Sequence, residues 1–145
     1  MIFSLDASVF VSAFQKTEKH NLAAKEILAK ISSERISLVS HALFFFEILS
    51  SMQRKTGDSS VTMKAMAIAK SLPAAKYVTI DQRLYASQES FVALLGLKGA
   101  DAIYVAIANR YKAPLITFDQ EILTRAERCC IPAEKFLTIQ KKRNF

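Results

Sequence analysis

Four short apolar runs rich in β-forming residues, Ile2–Leu5, Ile36–Val39, Tyr77–Ile80 and Leu115–Phe118, are separated by segments whose apolar residues recur at helical spacing. Strands that alternate with helices in this way pair in parallel, because parallel neighbours need a long crossover and a helix supplies it. The expected class is α/β, a central parallel sheet of about four to five strands flanked by helices on both faces. A last short strand is expected near residues 136–139.

Several of the helices can be read individually. Between Lys19 and Ser32, Leu22, Ala23, Ile27, Leu28 and Ile31 form a stripe opposite Lys25, Glu26 and Lys30. Ser40 is expected to cap a helix that runs through Phe45, Leu49 and Met52 to Lys55, where Gly57 and Asp58 break the pattern. Ser59 or Ser60 is expected to cap the next one, which Pro73 ends. Further helices are expected over residues 83–95, 102–111 and 120–129, the second of them apolar nearly all round and therefore buried.

With 145 residues, 51% of them hydrophobic, the chain has the size and core of one domain, expected to span residues 1–145. Three glycines, three prolines and no low-complexity run argue against disorder and against a disulfide-stapled miniprotein. Its longest apolar runs, Ala42–Phe46 and Ala102–Ala108, fall far short of the roughly 20 residues of a membrane-spanning helix. No basic segment followed by a cleavage site opens the chain, so a cytoplasmic location is expected. Cys129 and Cys130 are adjacent and read as helix-end packing, and His20 and His41 as packing or surface residues; zinc is disfavoured. A net charge of +7 suits a polyanionic partner or simply a solvated surface, since basic residues are spread from Lys16 to the tail Lys141-Lys142-Arg143.

The acids are more informative than the net charge. In open α/β sheets the crevice lies at the carboxyl ends of the strands, and Asp6 and Asp119 each follow a strand directly. Asp101 precedes the apolar helix Ala102–Ala108, where the helix dipole favours a negative charge. Glu47 lies among Phe44, Phe45, Phe46, Ile48 and Leu49, with no basic residue one turn away on either side. Singly, each acid reads as a helix cap or a solvated side chain. Together, without basic partners in sequence, they are better explained by a shared cation, and an all-oxygen ligand set points to Mg²⁺ or Mn²⁺. Asp81 also follows a strand, but it heads a helix and is assigned to capping; Arg83 and Tyr85 beside it are candidates for touching substrate.

The motifs Ser4-Leu5-Asp6-Ala7-Ser8, Phe46-Glu47-Ile48-Leu49, the stretch Gly99-Ala100-Asp101-Ala102-Ile103-Tyr104-Val105-Ala106-Ile107-Ala108, and Leu115-Ile116-Thr117-Phe118-Asp119 together make the sequence resemble the PIN domain over nearly its whole length. Many members of that family are the ribonuclease toxins, VapC-like, of toxin–antitoxin pairs. The resemblance implies that Asp6, Glu47, Asp101 and Asp119 are both the metal-binding and the catalytic acids, with Ser8 and Thr117 supporting the site. Position 8 is serine where asparagine is frequent, and both supply a side-chain oxygen. It further implies hydrolysis of RNA phosphodiester bonds assisted by divalent metal, with an antitoxin as protein partner.

Basic residues should rim such a site. Arg54, Lys55, Arg83, Lys98, Arg110 and Lys112 are the candidates by proximity, Arg54 and Lys98 foremost for substrate, Arg54 because it lies two helical turns beyond Glu47 on roughly the same face. Phe44 and Phe46 are candidates for an antitoxin or homodimer contact, with core packing as the other reading. A haloacid-dehalogenase type of phosphohydrolase also opens with a strand and an aspartate, but Ser8 stands where its second aspartate would be. Gly57, Gly96 and Gly99 form no phosphate-binding loop. A PIN-like module that binds RNA or protein without cutting, and a nuclease acting on structured DNA, remain the alternatives.

Overall fold

In the computed structural model, which describes residues 1–141, five strands form one all-parallel sheet in the order β3-β2-β1-β4-β5. The strands are β1 (Phe3–Leu5), β2 (Leu38–His41), β3 (Ala74–Val78), β4 (Leu115–Thr117) and β5 (Cys130–Pro132). From β1 the chain steps outward through β2 to β3, then crosses back past β1 to β4 and outward again to β5. The winding direction therefore reverses between β1 and β4, and the loops leaving those two strands diverge to open a crevice.

The crossovers are α1 (Ala7–Ser12), α2 (Asn21–Ser33), α3 (Ala42–Thr56), α4 (Ser59–Ser71), α5 (Gln82–Val92), α6 (Gly99–Tyr111) and α7 (Gln120–Arg125), with α8 (Ala133–Lys141) after the last strand. Two apolar clusters cover the sheet, and adjacent strand residues divide between them as a pleat requires. Leu38 joins Phe10, Ile27, Ile48, Met52 and Phe136 in the larger cluster, whereas Val39 joins Val78, Leu84, Ile107 and Ala113 in the smaller. Val105 and Ala108 of α6 belong to the first and Ile107 to the second, which is why this helix reads as apolar nearly all round. Among the described residues no helix is long and apolar enough to cross a membrane.

Three sequence expectations need correction. The last strand is Cys130–Pro132, not residues 136–139, which lie in α8. Ala133 and Phe136, three apart, are both fully buried, and Phe136 packs edge-on against Phe3, with ring centroids 5.1 Å apart, so the spacing is helical. Pro132 is tolerated in β5 because that strand is an edge. The cap of α3 is His41 rather than Ser40: its Nδ1 accepts from the Phe44 amide at 3.3 Å, while Ser40 remains inside β2. The cap of α4 is Asp58, which accepts from the Ser60 and Val61 amides, so Ser59 is already inside the helix.

Smaller shifts follow from local packing. The segment expected as one helix over 120–129 is α7 followed by a 3₁₀ turn at Glu127–Cys129. Cys129 is buried at the end of that turn and Cys130 opens β5; burial pushes both thiols up, Cys130 to about 12, which disfavours the thiolate form. Strand β3 is an edge exposed over Ala74–Tyr77, and Lys76 places its ammonium over the Tyr111 ring at 4.7 Å. Of the basic tail, Lys142 and Arg143 lie outside the described residues.

Candidate active site

Asp6 leaves β1 and caps α1. Its Oδ1 accepts from the Ser8 amide at 3.0 Å and its Oδ2 from the Thr117 hydroxyl at 2.7 Å. Thr117 is fully buried at the end of β4, and the same hydroxyl accepts from the Asp119 amide at 3.0 Å. One threonine thus stitches together the two loops that leave the switch point. Asp119 uses its carboxylate as Asp6 does, capping α7 through the Ile122 amide at 3.0 Å.

Glu47 and Asp101 arrive from helices on opposite faces of the sheet. Phe44, Ile48 and Met52 anchor α3 to the core, and Glu47, beside Ile48, is left half-buried at the margin of that face. Its Oε2 accepts from the Tyr104 hydroxyl at 2.7 Å. Asp101 sits in the first turn of α6, one turn before Tyr104.

Electrostatic influence links the acids pairwise. Burial raises the Asp6 carboxyl above its ordinary value, the hydrogen bonds from Thr117 and Ser8 pull it back, and Asp119 adds to the rise. Glu47 is raised by burial and by Asp6 and Asp101, with the Tyr104 bond opposing. Asp101 is raised by burial, then by Asp119 and Asp6, with Lys98 lowering it and Glu121 adding a further small push. Among the described residues none of the four forms an ion pair. A carboxyl raised in the folded state favours folding below its unfolded value and loses that contribution as pH rises, so at neutral pH Asp6, Glu47 and Asp101 strain the fold.

That strain is what a cation would relieve, and the donor set fits one: four carboxylates with no histidine or thiol among them suit a hard divalent ion. Among the described residues no three acidic, histidine or cysteine side chains stand together at ligand spacing, so the acids as placed do not form a ligand shell. Drawing them in requires side-chain movement, which burial permits least for Asp6.

Other sequence candidates divide. Lys98 caps α6 through its backbone and acts on Asp101, which brings it to the site. Arg54 is exposed, two turns beyond Glu47, and nothing among the described residues joins it to the acids. Lys55 is engaged with Glu18 at 3.1 Å and Arg110 lies beside the Tyr111 ring. Lys112 takes a left-handed conformation at the end of α6. Asp81 caps α5 through the Arg83 and Leu84 amides, both at 3.0 Å, and Tyr85 donates to Glu89. Phe44 is core, whereas Phe46 is 70% exposed. His20 stacks on Phe118 with centroids 4.1 Å apart. His41 is buried, and that burial takes its pKa down to about 4, so it is neutral at pH 7 and acts as a cap.

Sequence reasoning passed over Tyr104, which was visible only as one more apolar-looking residue in α6. Its spacing from Asp101, one turn on the same helix, was the available signal. A groove of about 570 Å³ between α5 and the start of α6, lined by Leu84, Tyr85, Val92, Ala102, Ile103 and Ala106, was also not foreseen; Asp101 precedes the lining residue Ala102, and none of the four acids lines it.

Residues 4–128 match the PIN domain family, spanning all four acids. The chain belongs to the PIN domain family. Among solved structures, this PIN domain is similar to VapC20 of Mycobacterium tuberculosis, described as a sarcin–ricin-loop-cleaving toxin, with 16% identity and a TM-score of 0.64 over 83% of this chain and 91% of that one. It is likewise similar to VapBC2 of Rickettsia felis, solved bound to a DNA fragment from its promoter, with 17% identity and a TM-score of 0.60 over 86% of this chain and 93% of that one. At these identities the likeness is one of fold. No protein of curated function matches the sequence.

Proposed function

We propose that this PIN domain is a divalent-metal-dependent endoribonuclease, the toxin of a toxin–antitoxin pair, formed by one nuclease domain over residues 1–145. What supports the reading is the mutual electrostatic influence among Asp6, Glu47, Asp101 and Asp119, none of them in an ion pair among the described residues, in a PIN fold whose winding reverses between β1 and β4.

In this reading the four carboxylates hold Mg²⁺ or Mn²⁺. The bound ion supplies positive charge that makes water a better nucleophile and offsets the charge building on the phosphate. The chain's own residues do the positioning. Thr117 and the Ser8 amide hold Asp6 from two sides, as supporting groups around a metal ligand do. Lys98, exposed beside Asp101, attracts the phosphate backbone toward an otherwise acidic crevice, and Arg54 extends that attraction along α3. His41, buried and neutral, takes no part in proton transfer.

RNA is the substrate that the family reading favours. An antitoxin would cover the crevice with an apolar segment bearing a basic residue, and the groove beside Asp101 suits such a segment. Phe46 is the apolar side chain that a homodimer would cover. These associations belong to a protein of the cytoplasm.

Cleavage of labelled, sequence-matched RNA and DNA with Mn²⁺ or Mg²⁺ tests the reading, with EDTA, Asp6→Asn and Asp101→Asn as controls. RNA cutting that needs the metal and is lost in both variants is expected. RNA bound but uncut by every sample would identify a binding module instead, and cutting confined to structured DNA would change the substrate.

A further inference from the structure

Tyr104 is the buried polar side chain at the acid cluster for which the proposed chemistry has no role. Its ring is 2% exposed, and its hydroxyl donates to Glu47 Oε2 at 2.7 Å across 57 residues of sequence. The ring meets His41 edge-on with centroids 4.7 Å apart, and His41 caps α3, the helix that carries Glu47. Both ends of the link are therefore fixed: the phenol by a buried ring on α6, and the start of α3 by the imidazole against which that ring rests.

We propose that Tyr104 is a positioning residue that holds the Glu47 carboxylate in one rotamer, engaging Oε2 and leaving Oε1 as the oxygen available to a cation shared with Asp6 and Asp101. The inference rests on the reading of the four acids as a cation site. A half-exposed glutamate otherwise samples several rotamers, and ordering it when the ion arrives costs affinity. A phenol suits the task because its ring is stiff and its hydroxyl donates to a carboxylate in a charge-assisted bond. Asp101 lies one turn before Tyr104 on α6, so the same helix supplies one acid directly and orients a second from across the sheet.

A plain structural bond between α3 and α6 would stabilise the fold but would not set cation affinity, and the two roles separate by experiment. Tyr104→Phe keeps the ring and removes only the oxygen. With the full chain, titration of Mn²⁺ followed by electron paramagnetic resonance should give a dissociation constant raised about tenfold. The Mn²⁺ needed for half-maximal cleavage should rise in parallel, while the RNA KM at saturating Mn²⁺ stays unchanged. In a Glu47→Ala background, Tyr104→Phe should cause no further loss, since the hydroxyl acts only through Glu47.

Losses that simply add in the double variant would overturn the clamp while leaving the cation site intact. Absence of Mn²⁺ binding by the unaltered protein would overturn the cation reading and the clamp's purpose with it. Should Tyr104→Phe fail to fold, 3-fluorotyrosine at position 104 keeps the hydroxyl. Its ¹⁹F resonance should move on Glu47→Gln and on addition of Mg²⁺, and a resonance indifferent to both would overturn the proposal.

Discussion

Asp119 and Asp81 are locally almost the same residue. Each is exposed, lies in the connection from a parallel strand to a helix, and caps that helix with Oδ1 on a backbone amide at 3.0 Å. They differ in position across the sheet. Asp119 follows β4, beside the point where the winding reverses, and acts on Asp6 and Asp101; Asp81 follows the edge strand β3 and stands apart from them. The capping motif is therefore generic, and under the proposed function the chemistry would come from which loops the topology brings together.

The comparison is broken most decisively by a matched pair of substitutions. Asparagine caps helices about as well as aspartate, so Asp119→Asn and Asp81→Asn both preserve the cap while removing a charge. Asp119→Asn should lower metal-dependent RNA cleavage by at least about a thousandfold, roughly 4 kcal/mol of barrier, and Asp81→Asn by less than about twofold. Comparable losses in the two would mean that the switch point confers nothing special.

Between these extremes, at the end of β2, His41 sharpens the contrast between capping and catalysis. Its folded pKa is depressed from 6.5 to about 4, so its contribution to stability is complete above pH 6.5 and is lost as pH falls through 4. Full protonation should cost about 3 kcal/mol. Urea unfolding of His41→Asn, which keeps a capping oxygen, should fall less steeply over that range than the unaltered protein; parallel profiles would show that the imidazole is not held neutral. The smallest expected effect is at the edge: Asp81→Ala should cost about 1 kcal/mol in urea unfolding and leave cleavage unchanged.

Much of this was legible in the sequence, for identifiable reasons. The apolar runs that became β1 and β4 ended on the acids, and α6 was buried enough that its pattern announced the helix. The errors fell where local and tertiary signals diverged. At residues 136–139 a β-rich composition masked a helix whose burial depends on Phe3, more than a hundred residues earlier. Ser40 reads as the cap from sequence, but β2 runs two residues further than the apolar run Ile36–Val39 suggests. The Tyr104–Glu47 hydrogen bond was harder to foresee, because a contact between α3 and α6 leaves no periodic trace and only the spacing of Tyr104 from Asp101 hinted at it.

The Thr117–Asp6 hydrogen bond spans 111 residues of sequence, nearly the whole match to the family. A chain still emerging from a ribosome carries Asp6 and Glu47 well before Thr117 and Asp119, the nearer of which lies 70 residues after Glu47. Until β4 docks beside β1, Asp6 has neither its hydroxyl partner nor Asp119 beside it. Under the proposed reading, in which RNA is the substrate, that order of assembly keeps the site incomplete until β4 has been made and has docked.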